Sequence, residues 1–350
     1  MSVSSELVRR AEDACRAATT TKRLRERIVA LLRPQLAFDG HIFALTDPVT
    51  RVAISPHADL PMLPWPRLPE MIRWRYLSVG NRWDRLLDSP GPPATSLLTS
   101  TTDPAESPAW SHVQRDLGVR DTATVAFGDR YGAWGFLELW RSTQTFGAAE
   151  IAVLAGLAPT VTAGLRAALA RTFDEPSEPA TSPGPAVVVL GPDLQVRSQT
   201  KDAAAALLRL LPPDEPMPPI PAAAYNSAAA LIAQEEGLPI GEPWARVQLG
   251  GNRWVTVKAS RLGVDTTGDI AVSIEPTSAE LRLNLFARVN GLSGRETEVL
   301  TLLGNGLSSA EIAGRLVISE HTANDHVKAV LAKAGARTRQ ALAARALGAG

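Results

Sequence analysis

Apolar residues in the first part of the chain recur at helical spacing and then begin to alternate. Leu7, Ala11, Leu24, Ile28 and Leu31 lie among arginines and glutamates, a pattern that predicts helix over residues 5–33. Two short strands are expected at 41–45 and 51–54, each bounded by Asp, Pro or Gly, and the proline-rich residues 55–68 read as loop. Residues 69–88 are amphipathic and rich in aromatic side chains, while 89–108 carry the turn residues Pro90, Gly91, Pro92, Pro93 and Pro104. Strands at 122–127 and 133–140 flank Gly128-Asp129-Arg130 and predict a hairpin. A long helix is expected from 148 to 173, with Gly147 as N-cap and Glu150 at the positive end of its dipole. Val153, Leu157, Val161, Leu165 and Leu169 stripe one of its faces, and Pro159 predicts a kink.

Residues 174–184 break the pattern. Their prolines, serines and acids offer too little apolar surface to order a segment, so they read as a linker. A second α/β unit follows, with strands at 186–190 and 194–197 around Gly191-Pro192-Asp193 and helices at 201–211 and 222–235. A hairpin at 244–249 and 253–260 turns at Gly250-Gly251-Asn252, a last strand covers 269–275, and an amphipathic connector helix spans 278–289. The expected organisation is therefore 1–173, linker 174–184, 185–277, connector 278–289 and a helical tail 290–350. No internal repeat is evident in the sequence, although both units combine a sheet with helices and end in a helix that leads onward.

Composition narrows the function classes. Lys plus Arg and Asp plus Glu are equal at 36 each, so affinity for nucleic acid must come from a local basic surface. One cysteine, Cys15, excludes a disulfide within the chain, disfavours a cysteine zinc site and fits a reducing cytoplasm. No unbroken apolar run approaches the roughly 18–20 residues that span a bilayer, and the charged N-terminal stretch is not the pattern of a signal peptide. The five histidines form no metal-ligand pair, and neither Gly-x-Ser-x-Gly nor Gly-x-x-x-x-Gly-Lys occurs. No enzyme, cofactor or metal is expected.

The tail carries the strongest signal. Four stretches open on capping residues Ser293, Ser308, Ser319 and Thr338, and Ser308 with Glu311 has capping-box spacing. Gly304, Gly306 and Gly335 supply stops, which places helices at 293–303, 308–315, 319–334 and 338–347. Helices two and three are close enough in sequence for a helix-turn-helix. On the third, Ala323, Val327, Val330, Leu331 and Ala334 form the inward stripe. Glu320, His321, Asn324, Asp325 and Lys328 fall on the opposite face, where a recognition helix meets base edges. From Arg315 onward, cations exceed acids by four: Arg315, Lys328, Lys333, Arg337, Arg339 and Arg345 against Glu320 and Asp325. Plainer roles compete: Glu311 as a cap, His326 as a packed helix histidine, and Arg295, Glu296 and Glu298 as solvated charges.

Residues 288–348 closely resemble the LuxR-type (GerE-type) helix-turn-helix family. The resemblance is carried by Leu292-Ser293-x-Arg295-Glu296-x-Glu298-Val299-Leu300 and by Gly306-Leu307-Ser308-x-x-Glu311-Ile312-Ala313-x-x-Leu316. It continues through Ile318-Ser319-x-x-Thr322, His326 and Lys333-x-Gly335. It implies double-stranded DNA as partner, a third helix that reads the major groove and a fourth that supports a homodimer, with RNA polymerase a further candidate partner. The implied contact set is Ser308, Ser309, Glu320, His321, Thr322, Asn324, Asp325, Lys328, Lys333 and Arg337. Where the family often has Thr-Val-Lys, this chain has Thr322-Ala323-Asn324; Asn324 is suited to adenine and Asp325 to cytosine.

Residues 20–172 resemble a GAF-type domain through Trp134-Gly135-Phe136-Leu137-Glu138-Leu139, Thr145-Phe146-x-x-x-Glu150 and Leu157-Ala158-Pro159. Residues 185–276 resemble a PAS-type domain through the strand 187–190, its turn and residues 252–257, with Ser198-Gln199-Thr200 where an asparagine is usual. The fold class so implied is two α+β domains of antiparallel sheet flanked by helices, then an all-α four-helix domain. The layout resembles multidomain LuxR-type regulators of actinobacteria. Such domains imply a small-molecule effector, for which Trp74, Tyr76 and Trp83 are candidate pocket residues. Core or dimer-interface packing is the competing reading of those rings. The Trp/Tyr/Asp arrangement of acyl-homoserine-lactone receptors is not in register, and no receiver-type acidic cluster is present. The expected function is a DNA-binding transcription regulator; the alternative is an interaction scaffold whose tail pairs helices without DNA.

Overall fold

The computed structural model describes residues 3–175, 186–201, 203 and 222–348. The N-terminal helical stretch is two helices, α1 (Val3–Ala17) and α2 (Thr21–Leu36), rather than the single expected one. Thr20 breaks it: its backbone is extended and its side chain accepts from the Arg23 N–H as an N-cap. Strands β1 (Gly40–Thr46) and β2 (Ala53–Asp59) follow. β2 runs through Pro56 into the stretch expected to be loop. Its edge position allows this, because an edge strand has one side that needs no ladder donor.

Helices α3 (Leu68–Leu77) and α4 (Trp83–Asp88) occupy the aromatic stretch. The turn-rich residues after them also hold a short strand, β3 (Ala94–Ser96), and one helical turn, α5 (Leu97–Ser100), capped by Ser96. The hairpin β4 (Asp121–Asp129) and β5 (Gly132–Arg141) completes an antiparallel sheet of order β2-β1-β5-β4-β3. Alternation then assigns the faces. Phe43 pairs in register with Leu137, and the neighbouring Gly135 approaches Leu165 of α6 (Ala148–Arg171). Ile42, Ala44, Phe136 and Glu138 point to the other face, toward α3 and α4.

α6 starts at Gly147, whose N–H donates to Glu150 Oε2 at 2.8 Å, and it continues past Pro159. Its buried positions are Leu154, Leu157, Ala158, Val161, Thr162, Gly164, Leu165 and Ala168. Val153 and Leu169, expected on the stripe, are half-buried at its flank, because the face follows 3.6 residues per turn rather than a strict four. Among the described residues, α6 is long and apolar enough to cross a membrane by length and composition, with mean hydropathy 1.5. A search for unbroken apolar runs misses it because its small residues and single charges interrupt such a run; here it packs on β4, β5 and α1.

The second sheet comprises β6 (Ala186–Leu190), β7 (Val196–Gln199), β8 (Trp244–Gln248), β9 (Trp254–Arg261) and β10 (Ile270–Pro276), in the order β7-β6-β10-β9-β8. Most of the expected linker 174–184 and of the expected helix 201–211 lies outside the described residues. Helix α7 (Ala222–Glu235) is buried from Ala222 to Ala233. A helix apolar on all sides needs partners on all sides, and this one is packed between the second sheet and the first unit's α3 and β2. Its run of alanines permits that double approach.

Polar contacts fasten the same junction. Asp47 and Arg246 are both fully buried and pair bidentately at 2.7 and 2.8 Å. Arg246 Nη1 also donates to Leu281 O at 2.7 Å in the connector α8 (Ala279–Val289). One arginine therefore ties the first unit, the second sheet and the connector. Thr50 Oγ1 donates to Trp244 O at 2.6 Å. Gly241 lies so close that a Cβ there would stand 2.2 Å from Thr50 O.

Candidate nucleic-acid interface

The tail folds as α9 (Gly294–Gly304), α10 (Ser309–Leu316), α11 (Glu320–Lys333) and α12 (Arg339–Leu347). Every expected cap is formed. Ser293, Ser308, Ser319 and Thr338 accept from the N–H three residues on, and Glu296 and Glu311 reach back to close two capping boxes. Each cap is worth about 1 kcal/mol, so the four helix starts are written locally into the sequence. The turn between α10 and α11 uses Val317 at φ 54°, a left-handed position held by a β-branched residue.

The inward stripe of α11 is Ala323, Val327, Val330 and Ala334, all buried; Leu331 is half-buried. The outward residues Glu320, His321, Thr322, Asp325 and Lys328 are exposed, and no described part of the chain covers them. Asp325 sits between His321 at 3.5 Å and Lys328 at 3.4 Å. Surface pairs of this kind are worth about 0–1 kcal/mol, so Lys328 can exchange its carboxylate for a phosphate at little cost.

Other members of the expected contact set are already engaged. Ser309 is buried; its hydroxyl donates to Asn324 Oδ1 at 2.6 Å and accepts from Arg339. The oxygen that Asn324 would need for two-point reading of adenine is thus held by α10. Lys333 donates to Glu296 Oε2 at 2.7 Å. Burial raises the Glu296 carboxyl, but Lys333 and the Ser293 donors outweigh it and hold the group below the usual carboxylate range. Ser308 caps α10, and Arg337 is exposed on the loop before α12. His326 is half-buried, and Arg295 bridges Glu298 to the carbonyl of Leu316, locking the start of α9 to the end of α10.

The aromatic candidates separate. Tyr76 and Trp83 are fully buried: the Tyr76 hydroxyl accepts from Ala53 N–H at 3.0 Å, and the Trp83 indole donates to Arg51 O at 3.0 Å while stacking on Phe136. Both line a cavity of about 430 Å³ between the first sheet and α3. Trp74 is not in its wall; it stacks on His112 with ring centroids 3.9 Å apart. Polar wall residues missed as pocket candidates in the sequence include Arg75, Glu138 and, from α7, Asn226. Glu138 had a legible signal, as a lone acid in the apolar run of β5. Among the described residues, no group of histidine, cysteine or carboxylate side chains could hold a metal ion.

No curated protein sequence matches this chain. Among solved structures, the chain is similar to the N-acylhomoserine lactone dependent LuxR family transcription factor CepR2 of Burkholderia cenocepacia. That match has 22% identity, 48% of this chain, 99% of the other and a TM-score of 0.36. It is also similar to Escherichia coli SdiA, at 15% identity over 98% of each chain with a TM-score of 0.34. A third match is the Stigmatella aurantiaca phytochrome photosensory core module, at 12% identity, 53% and 47% coverage and a TM-score of 0.31. Residues 290–346 match the family model of bacterial regulatory proteins, luxR family, so the capped four-helix tail is a GerE-type helix-turn-helix domain.

Proposed function

We propose that this protein is a transcription regulator that binds DNA through its C-terminal domain, as a homodimer, with α11 in the major groove. The observation that carries the reading is the uncovered polar face of α11, from Glu320 to Lys328, in a GerE-type domain. The N-terminal half of a recognition helix is the part that reaches base edges. Glu320, His321, Thr322 and Asp325 supply donors and acceptors there, Lys328 and Arg337 supply charge for phosphate, and Ser308 lies at the start of α10. Asn324 and Ser309 act as a unit, with Asn324 presenting its amide nitrogen while Ser309 holds its oxygen. Lys333 works chiefly as the clasp on Glu296.

In this reading the two sheet units, GAF-like and then PAS-like, sense a small molecule and act on the tail through α8 and α12. Supporting that route, Asn252 donates to the Arg345 carbonyl at 3.0 Å, Arg345 pairs with Asp174, and Phe173 stacks on Trp254 and meets Phe286 edge-on. RNA polymerase is the partner an activator of this type would need. The test is selection of genomic fragments by the full chain across a salt series. Specific fragments whose affinity falls steeply with salt are expected. Absence of binding to any fragment would favour the scaffold alternative.

A further inference from the structure

We infer that the base chosen by α11 is set from outside that helix: Arg339 and Ser309 hold the Asn324 amide with its nitrogen outward, so that it selects guanine and rejects adenine. The inference rests on the reading of α11 as the recognition helix, and its test separates the two.

Three helices meet at one hydroxyl. Ser309 is the first residue of α10, Arg339 is the first of α12, and Asn324 lies in the N-terminal half of α11. Ser309 is only 7% exposed. Its Oγ stands 2.6 Å from Asn324 Oδ1 and accepts from Arg339 Nη2.

Counting donors fixes the amide. A guanidinium stays charged and can only donate. Arg339 therefore fills an acceptor site on the hydroxyl and leaves the hydroxyl proton to be placed. Among the described residues, the Asn324 side chain is the one acceptor bonded to that hydroxyl. With the amide oxygen inward, the series from Arg339 through Ser309 to Asn324 runs donor to acceptor at each step. Turning the amide over would set its N–H groups against the same hydroxyl, strand the hydroxyl proton and bring a further donor toward a cation. A buried donor left without an acceptor costs about 1–3 kcal/mol, so the oxygen-inward form dominates.

The outward side follows from the same count. The Asn324 amide nitrogen has no hydrogen-bond partner among the described residues, and the residue is only half-buried. In the major groove, adenine sets the N6 donor beside the N7 acceptor, whereas guanine presents two adjacent acceptors, N7 and O6. Thymine offers one acceptor beside a methyl group, and cytosine offers a donor. A side chain with only N–H groups outward matches the guanine edge. Against adenine it meets the N6 donor with nothing to accept it. Arg339 and Ser309 are thus positioning residues: neither has to touch a base to change which base is read.

The test is selection of bound sequences from a random DNA pool by the full chain, followed by equilibrium affinities on the selected site. Asn324→Ala identifies the position concerned, as the one whose preference it erases. The parent should require guanine there, with adenine about fivefold weaker. Ser309→Ala frees the amide to offer oxygen and nitrogen together, so its preference at this position should move toward adenine while the other positions keep theirs. Arg339→Met frees the hydroxyl to donate or accept, and should lose the discrimination between the two bases. Melting curves establish which variants are folded, and either one suffices for the test. Adenine preferred by the parent, or guanine kept in every folded variant, overturns the inference and leaves α11 as the reading helix. A selected profile unchanged in Asn324→Ala overturns it by removing Asn324 from base contact. No bound sequence at all removes the DNA-binding reading, and this inference with it.

Discussion

The two sheets have the same strand order, each running second, first, fifth, fourth, third in its own sequence, yet their faces are filled differently. The first carries α3 and α4 over Ile42, Ala44, Phe136 and Glu138 and leaves a cavity between them. The second carries α7, whose alanines lie flat on β9 and β10. Large aromatic side chains hold helices away from a sheet and enclose space; small ones bring helix and sheet together. One topology thus yields a chamber in one unit and a close-packed joint in the other, decided by side-chain volume rather than by strand order.

The largest expected effect comes from breaking the joint. Asp47→Ala leaves Arg246 buried without its counter-charge, which should cost about 3–5 kcal/mol. Calorimetric melting should then split into two transitions as the sheet units uncouple; a single unshifted transition would show that the pair does not join them. A second effect separates the sheets by pH. Burial, followed by the neighbouring His57, lowers the His41 pKa to about 4, with Asp59 opposing and Arg33 adding. The folded ring is therefore neutral. Its contribution is fully present above the ordinary value near 6.5 and is lost as pH falls from there toward 4, by up to about 3 kcal/mol. Melting temperature followed from pH 7 to pH 4 should fall less in His41→Phe than in the parent.

Gly241→Ala should cost about 1–3 kcal/mol, since a methyl group there meets the Thr50 backbone. Ala230→Gly, inside α7 in the same joint and without such an approach, should cost about 1 kcal/mol by helix propensity. Denaturant melts of both variants test whether close backbone approach, rather than helix content, holds the units together. Smallest in stability is Lys328→Ala: its surface pair with Asp325 is worth under about 1 kcal/mol. Its effect should appear as weaker DNA affinity and a salt slope reduced by about one.

The tail was legible almost to the residue because its information is local: four capping residues, glycine stops and one apolar stripe. The sheet units were legible as strands and helices but not as a pair of like topology, because strand order depends on contacts far apart in sequence. The break at Thr20 hid inside a continuous helical period, and the second half of β2 hid behind Pro56. Tyr76 and Trp83 could be singled out as aromatic residues, but Trp74, two residues before Tyr76 on α3, falls on a different face of that helix and stacks on His112 instead. That Asn324 is tied to Ser309, and Lys333 to Glu296, depends on how three helices meet, which no single stretch encodes.

The most direct test of the central claim is DNA affinity of the full chain and of Lys328→Ala, measured on selected genomic fragments over a salt series. Binding by the parent that weakens steeply with salt, with a lower affinity and a shallower slope in Lys328→Ala, is the predicted result. Equal affinity and equal slope for the two proteins, or no specific fragment at all, would contradict α11 as the element that meets DNA.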